Sequence, residues 1–273
     1  MKQKPLITVI IPTYNRETTI LNAIKSVLEQ TYTNIEVLII DDGSTDNTEK
    51  LVTNIKDKRV TFIKQKNKGA CSARNNGILH AKGEYIAFND SDDIWFKKKL
   101  EKQLAVMQKT NADVVFCKLA LVSQGKNILI PSTKEGFLNL SKDSLDGIGT
   151  QTLVFRKKVL NDFKFNEKMP RLQDFELLLR ILESKKYTVY CMNQGLVYYN
   201  ISSDSISVNP QKFEQAVQLI VSSRNNLVYD YPVISKYFSK MFYHNFKYYL
   251  RNINISQMIN NLILTAKYLP KHR

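Results

Sequence analysis

The sequence lacks most of what would tie it to a disulfide framework, a histidine metal centre or a bilayer-spanning helix. Its three cysteines, Cys71, Cys117 and Cys191, are an odd, widely separated set with no CxxC spacing. That pattern argues against a disulfide scaffold or a zinc site and fits a reducing compartment. The histidines, His80, His244 and His272, are equally scattered, which counts against a histidine-based metal centre. No stretch reaches the roughly 20 apolar residues needed to cross a bilayer. The apolar run in MKQKPLITVIIPTYNR is too short for a signal peptide and is soon broken by Pro12 and Asn15. A cytoplasmic protein is expected, with any membrane contact peripheral, at the inner face of the plasma membrane. No GxGxxG follows the first apolar run, and no GxxxxGK followed by Ser or Thr occurs, so the glycine-rich phosphate cradles of dinucleotide and P-loop enzymes are missing. There is no internal repeat and no low-complexity linker. Acid is the last scarcity: beyond Tyr231 there is no Asp or Glu.

What is present starts with charge. Forty Lys and Arg stand against 25 Asp and Glu, a net charge of +15 over 273 residues. Such an excess points to an anionic partner: nucleic acid, an acidic membrane surface or a phosphate-bearing substrate. The chain is also long enough to bury a substantial core.

The first part alternates strand-like and helix-like segments. Leu6–Ile11 is a β-branched apolar run ended by Pro12, as in a buried strand. From Arg16 to Gln30, Ile20, Ala23, Ile24, Val27 and Leu28 recur at helical spacing. Ile35–Ile40 reads as a second strand, Val60–Ile63 as a third and Tyr85–Phe88 as a fourth. Asp46 is placed to cap a helix carrying Leu51, Val52 and Ile55, and Ala70–Ala81 reads as another helix. A helix over Lys97–Lys109 follows. Beyond it, Val114–Val122, Thr152–Phe155, Tyr187–Cys191 and Leu196–Tyr199 look like strands, and Asp174–Glu183 like a helix. This alternation predicts an α/β fold with a mostly parallel sheet flanked by helices. From about Pro210 the pattern becomes helical, basic and aromatic.

Ligands of such sheets bind beyond the carboxyl ends of the strands. Three polar clusters fall there: Pro12–Arg16, Asp41–Asp46 and Asn89–Asp93. In Asn89-Asp90-Ser91-Asp92-Asp93 the crowded carboxylates repel one another unless a cation sits among them. Oxygen-only ligation with few protein ligands suits Mg²⁺ or Mn²⁺, with diphosphate oxygens completing the shell. The competing reading is a solvated turn in which Asp93 caps the next helix. A calcium loop is excluded because Ile94 and Trp95 stand where a ligand and a glycine are needed. Asp41-Asp42-Gly43-Ser44 ends the second strand, where an acid can accept from a ribose hydroxyl or a base N–H, or can shape a turn.

Taken in order, VIIPTYNR, SVLEQTY, EVLIIDDGSTD, NKGACSARNNGI, AKGEYIAFNDSDD and W-x-x-x-KLEKQ closely resemble the family 2 glycosyltransferases with the GT-A fold. The resemblance is dense over about the first 105 residues and thin out to about Ser207. It implies an inverting transferase that moves a sugar from a nucleotide diphosphate donor, usually a UDP-sugar, to a hydroxyl of a saccharide, lipid-linked saccharide or glycoprotein glycan. It implies residues 1–105 as a nucleotide-binding half and 106–209 as an acceptor-binding half, while the change of pattern sets 210–273 apart as a basic, aromatic helical region. Pro12, Thr13, Tyr14 and Arg16 would line the nucleoside pocket, with Asp42 on the base. Arg74 would help hold the nucleotide near its diphosphate. Asp90 and Ser91 would contact the donor, Asp90 on the ribose or metal side, and Asp92 would be the main ligand of Mn²⁺ or Mg²⁺. Leu172-Gln173-Asp174-Phe175-Glu176-Leu177 matches a family segment whose acid is the catalytic base, which makes Asp174 that base and Glu176 the reserve. A helix-capping role for Asp174 stays open. One departure stands out: where the family often carries Arg and His before an S-x-S, this chain has Asn200 and Ser202 before Ser205 and Ser207.

Two other activities compete. A sugar nucleotidyltransferase would need a glycine-rich loop after the first strand, and Pro12–Arg16 has no glycine. A catalytically silent nucleotide-sugar binder would not need Asp92 and Asp174. The carboxyl end interleaves Lys236, Lys240, Lys247, Arg251 and Lys267 with Tyr237, Phe238, Phe242, Tyr243, Phe246, Tyr248, Tyr249 and Tyr268. That mixture suits docking on an anionic bilayer, and it equally suits packing on the catalytic domain or in a homodimer. No recognised nucleic-acid module accompanies it, so nucleic acid is not expected as a partner.

Overall fold

The computed structural model describes residues 4–123, 126–131, 133–198, 209–224, 230–251 and 254–269. Two compact units emerge, one of Met1–Leu138, Gly147–Glu167 and Gln173–Ile201, the other of Asn139–Asp146, Lys168–Leu172 and Ser202–Arg273.

The first unit is built on a ten-stranded sheet. Its strands are β1 (Ile7–Thr13), β2 (Ile35–Asp41), β3 (Val60–Lys64), β4 (Tyr85–Phe88), β5 (Ile94–Trp95), β6 (Val114–Ser123), β7 (Lys126–Ile130), β8 (Gly136–Phe137), β9 (Leu153–Arg156) and β10 (Val189–Tyr198). Its helices are α1 (Ile20–Leu28), α2 (Thr48–Thr53), α3 (Ala70–His80), α4 (Lys99–Thr110), α5 (Lys157–Asp162) and α6 (Gln173–Glu183). The strand order is β3-β2-β1-β4-β9-β6-β10-β5, with β7 paired to β6 and β8 to β10. Strands β3, β2, β1 and β4 run parallel, β9 runs antiparallel between β4 and β6, and β10 returns parallel to β6. The result is a mixed α/β sheet with its parallel block at the amino-terminal side.

All seven residues of β1 are buried, which explains why its sequence is continuously apolar rather than alternating. Its register places Thr13 opposite Asp41 of β2 and Ile10 opposite Phe88 of β4. The three strands therefore release their loops at one edge, and the chain order reverses between β1 and β4. That is the switch point where open sheets leave a crevice for ligands. Helix α1 buries Ile20, Ala23, Ile24 and Val27, the face read from the sequence. Helix α3 lies tightly on β1, because a Cβ at Gly77 would stand 2.5 Å from Ile10 Cγ2.

The structure departs from the sequence reading in several places. The two strands expected around Cys191 are one strand, β10, whose pairing with β6 shifts register twice between Cys191 and Val197. The polar stretch Asn193-Gln194-Gly195 is thus an irregularity within one strand. Helix α2 is capped at Asn47, although the Asp46 carboxylate accepts the Thr48 N–H at 2.9 Å. Strands β5, β7 and β8 and helix α5 were not foreseen. The segment carrying Asn200, Ser202, Ser205 and Ser207 lies outside the described residues.

The second unit contains α7 (Pro210–Ser222), α8 (Pro232–Arg251) and α9 (Ile255–Lys267). Asn209 caps α7 through the Lys212 N–H at 3.0 Å, with Pro210 in the first turn. Helices α8 and α9 run antiparallel, since Ser235 Oγ donates to the Tyr268 carbonyl at 2.7 Å and Ser239 Oγ to that of Thr265 at 2.9 Å. Phe213, Phe238, Phe242, Tyr249 and Tyr268 form the interior, with Phe242 stacked on Tyr268 at 5.5 Å. Half of the aromatics that suited either docking or packing are therefore internal packing. Tyr243 and Tyr248 remain outside. Arg171 joins this unit through the Asn209 carbonyl at 3.2 Å and the Phe213 ring.

Candidate active site

The loops after β1 and β2 are stitched together at the crevice. The Thr13 carbonyl accepts the Asp42 N–H at 2.8 Å. Asn15 takes the left-handed conformation, φ 51°. There its N–H donates to Ser44 Oγ at 2.9 Å, while its Oδ1 accepts the Thr45 N–H at 2.8 Å. The Arg16 N–H donates to Thr48 Oγ1 at 2.9 Å. Pro12 and Thr13 are buried, and Tyr14 is exposed. Thr13 Oγ1 is buried without a hydrogen-bond partner, an open polar contact at the rim.

Asp41 and Asp42 separate into different jobs. Asp41 accepts both the N–H and the hydroxyl of Ser44, and so closes the turn. Asp42 accepts from Gln65 Nε2 at 2.8 Å, the Lys68 N–H at 2.9 Å and the Gly69 N–H at 2.8 Å. Gly69, at φ 90°, starts α3, so Asp42 fixes the loop that presents that helix. A carboxylate has about four acceptor positions, which leaves room for one further donor such as a base N–H.

Arg74 is the hub. It projects from α3 and is nearly buried, with its guanidinium over the Phe165 ring at 5.5 Å. Nη2 donates to Asp90 Oδ1 at 2.9 Å and to Thr150 Oγ1 at 3.3 Å, and Nη1 donates to Gln173 Oε1 at 2.7 Å. Its Nε is buried and unpartnered. One cation therefore ties α3 to the loop after β4 and to the first turn of α6.

In that loop the Asp93 N–H donates to the Asp90 carbonyl at 3.1 Å, closing a turn that presents Asp90, Ser91 and Asp92. Asn89 is fully buried, and its Oδ1 has no partner. Burial pushes the Asp92 carboxyl above the usual range, the Asp90 charge adds to this, and the Arg16 cation partly offsets it. Asp174 lies in the first turn of α6, two residues after Leu172 at φ 59°, a left-handed angle that a branched side chain rarely takes. Its carboxyl is pushed up to about 6, chiefly by burial, although the residue keeps part of its surface open. The Phe175 N–H and the Arg74 charge pull it down, and the Asp90 charge pushes it up. Glu176 is clamped by Arg180 through two bonds, Nε at 2.6 Å and Nη2 at 2.9 Å, which occupies the reserve base.

The predicted residues thus fall into two groups. Pro12 and Thr13 end β1, Tyr14 and Arg16 lie in the loop after it, and Asp42 in the loop after β2. Arg74 of α3, Asp90 of the loop after β4 and Asp174 of α6 lie within electrostatic reach of one another. Asp92, on the same loop as Asp90 and Ser91, feels both Asp90 and Arg16. Arg74, expected near the diphosphate, engages protein groups with both of its Nη atoms. Sequence reasoning missed Thr150, Gln173 and Phe165. Gln173 could have been found beside Asp174 in its motif, whereas Thr150 and Phe165 carry no local signal.

Among the described residues no three His, Cys, Asp or Glu side chains are grouped to hold a metal by themselves. The donor chemistry still fits a hard cation: Asp92 and Asp90 are neighbouring oxygen donors whose mutual repulsion a divalent ion would relieve.

Comparison with known proteins bears on what this site is. The family model described as Glycosyl transferase family 2 matches residues 8–167. Two Escherichia coli relatives are each named UDP-Glc:alpha-D-GlcNAc-diphosphoundecaprenol beta-1,3-glucosyltransferase. WfgD is 37% identical over 212 residues, covering 76% of this chain and 81% of its own. WfaP is 34% identical over 221 residues, covering 78% and 83%. The crystal structure of S. aureus TarS 1-349 in complex with UDP-GlcNAc matches with a TM-score of 0.73 at 22% identity, over 97% of this chain and 81% of that one.

Proposed function

The chain belongs to glycosyl transferase family 2, and on that premise we propose that it moves a sugar from UDP to a hydroxyl of a lipid-linked saccharide, inverting the anomeric centre. The names of the two Escherichia coli relatives support a UDP-hexose donor and a saccharide on a polyprenyl diphosphate as acceptor. The UDP-GlcNAc held by TarS supports an N-acetylhexosamine donor equally. Either donor, with that acceptor, belongs to surface polysaccharide or cell-wall glycan synthesis.

The observation that carries the reading is the Arg74 bridge. It draws Asp90 and Gln173 to one guanidinium although Gln173 is 99 positions from Arg74 in the chain. The donor-side acids and the Asp174 helix thereby face one crevice. Residues 1–105 supply the nucleotide half. Pro12, Thr13, Tyr14 and Arg16 bracket the nucleoside, and Asp42 offers its remaining acceptor position to the base. Asp90 and Ser91 border the ribose and diphosphate.

Asp92, with Asp90 beside it, would hold Mn²⁺ or Mg²⁺, which when bound neutralises charge on the leaving diphosphate. Arg74 positions Asp90 and Gln173 and keeps positive potential at the crevice. Asp174 accepts the proton of the acceptor hydroxyl. The freed oxygen attacks the anomeric carbon from the face opposite the diphosphate, the carbon–oxygen bond to the phosphate breaks, and the configuration inverts. A carboxyl near 6 is ionised at neutral pH yet basic enough to help. Orientation of the two substrates supplies much of the remaining rate. Incubating the protein with UDP-sugars and diphospholipid-linked saccharides, and weighing the products by mass spectrometry, tests this. Extended acceptor supports the reading, and no extension with any pair refutes it.

A further inference from the structure

Helix α9 carries an apolar face that the described residues of its own unit leave open. Ile259, Leu262, Ile263 and Ala266 recur at helical spacing and all point outward, followed by Leu269. The four large side chains are 50% to 61% exposed. The opposite side of α9 is the one that packs: Asn261 Nδ2 donates to Glu214 at 2.9 Å, and the Thr265 and Tyr268 carbonyls accept from α8. The stripe is therefore not the helix's packing face.

Charge says what fits it. From Pro232 to the end the sequence has seven Lys and Arg and no Asp or Glu. Lys267 closes the last turn of α9. Helix α8, packed alongside at a spacing of roughly 8–10 Å, exposes Lys236, Lys240 and Lys247. Lys247 lies over the exposed Tyr243 ring at 4.6 Å, a pairing suited to a polar–apolar boundary. A second copy docked stripe to stripe would bring two such cationic segments within a Debye length of about 10 Å. An anionic surface would neutralise them instead.

We propose that α9 lies in the plane of a bilayer containing anionic lipid, its Ile259–Leu269 stripe in the acyl boundary, with Lys267 and the lysines of α8 among the headgroups. Its 13 residues span about 20 Å, short of the roughly 30 Å hydrocarbon core. Among the described residues no helix is long and apolar enough to cross a membrane. The arrangement is that of an interfacial amphipathic helix. It is independent of the transfer chemistry and places docking on a different set of side chains from the buried aromatics of α8.

The test is sedimentation of the full chain with vesicles of phosphatidylcholine alone or mixed with phosphatidylglycerol. Binding should require the anionic lipid and weaken as salt rises. The double variant Leu262→Gln, Ile263→Gln alters two exposed side chains and should fold normally. It should bind anionic vesicles about 30-fold more weakly. A triple variant, Lys236→Gln, Lys240→Gln, Lys247→Gln, should lose about fivefold per lysine on anionic vesicles only. Transfer to a water-soluble acceptor is expected unchanged in both. Wild-type protein that ignores anionic vesicles overturns the proposal, as does binding that both variants retain. A dimer in analytical ultracentrifugation that the Leu262→Gln, Ile263→Gln variant dissolves would assign the stripe to a second copy instead.

Discussion

Replacing Asp174 by Asn should make the protein more stable and nearly inactive. The carboxyl rises from 3.8 to about 6 on folding, so the folded state holds its proton more tightly than the unfolded chain. Stability from this group is fully present below the unfolded value and is lost as pH rises through about 6. At pH 7.5 the buried charge is a net cost, and the rise corresponds to about 3 kcal/mol. Asn keeps an oxygen for the Phe175 N–H, which Asp174 Oδ1 accepts at 2.7 Å, and carries no charge. We expect the variant to gain about 1–3 kcal/mol at pH 7.5, a melting rise of a few degrees. The gain should vanish by about pH 4, where both forms are neutral. Transfer should fall about 10²–10⁴-fold while UDP affinity holds. Melting curves at both pH values, with calorimetry and rates on the same preparations, decide it. A variant less stable at pH 7.5 with a normal transfer rate would mean that Asp174 only steadies the start of α6.

The same carboxyl sets a pH profile. Below about 6, kcat/KM should drop roughly tenfold per pH unit as Asp174 protonates, and a flat profile down to pH 5 would remove Asp174 as the base. Asp92→Ala should abolish any gain in UDP affinity from Mn²⁺ over chelator, as read by calorimetry; a retained gain would move the metal ligand elsewhere. Gly77→Ala should cost about 1–3 kcal/mol, because the new methyl must displace Ile10 of β1. Urea unfolding would reveal an unaffected midpoint if α3 could simply move away.

The parallel half of the sheet was legible because its strands are short apolar runs, each ended by polar residues. Burial on both faces writes itself as continuous Ile and Val in β1 and β2. The rim acids were legible for the same reason, since they sit where those runs stop. Asp41 and Asp42 are adjacent and both buried, yet only their partners distinguish a turn lock from a loop lock. Lys99 shows a similar limit. It read as part of a helix motif, yet it is fully buried over the Trp95 ring at 3.8 Å, with burial pulling its amine down to about 8. Thr150 reaches Arg74 only through the tertiary fold, and two-residue strands such as β5 carry no periodicity to detect. In the carboxyl-terminal unit, composition marked helices with aromatic and basic faces. Which face turned inward depended on α7, whose Phe213 gathers Phe238 and Phe242 around it.

Inverting transfer from a UDP-sugar at the crevice between β1 and β4 leaves its mark on the product. The most direct measurement is the anomeric configuration of the newly formed linkage. Incubate the protein with an α-linked UDP-hexose, Mn²⁺ and a diphospholipid-linked N-acetylhexosamine, purify the extended acceptor, and read its anomeric coupling by proton NMR. A β linkage is expected, formed at least 10²-fold more slowly by Asp174→Asn. An α linkage, or a β linkage that Asp174→Asn forms at the wild-type rate, would contradict the account.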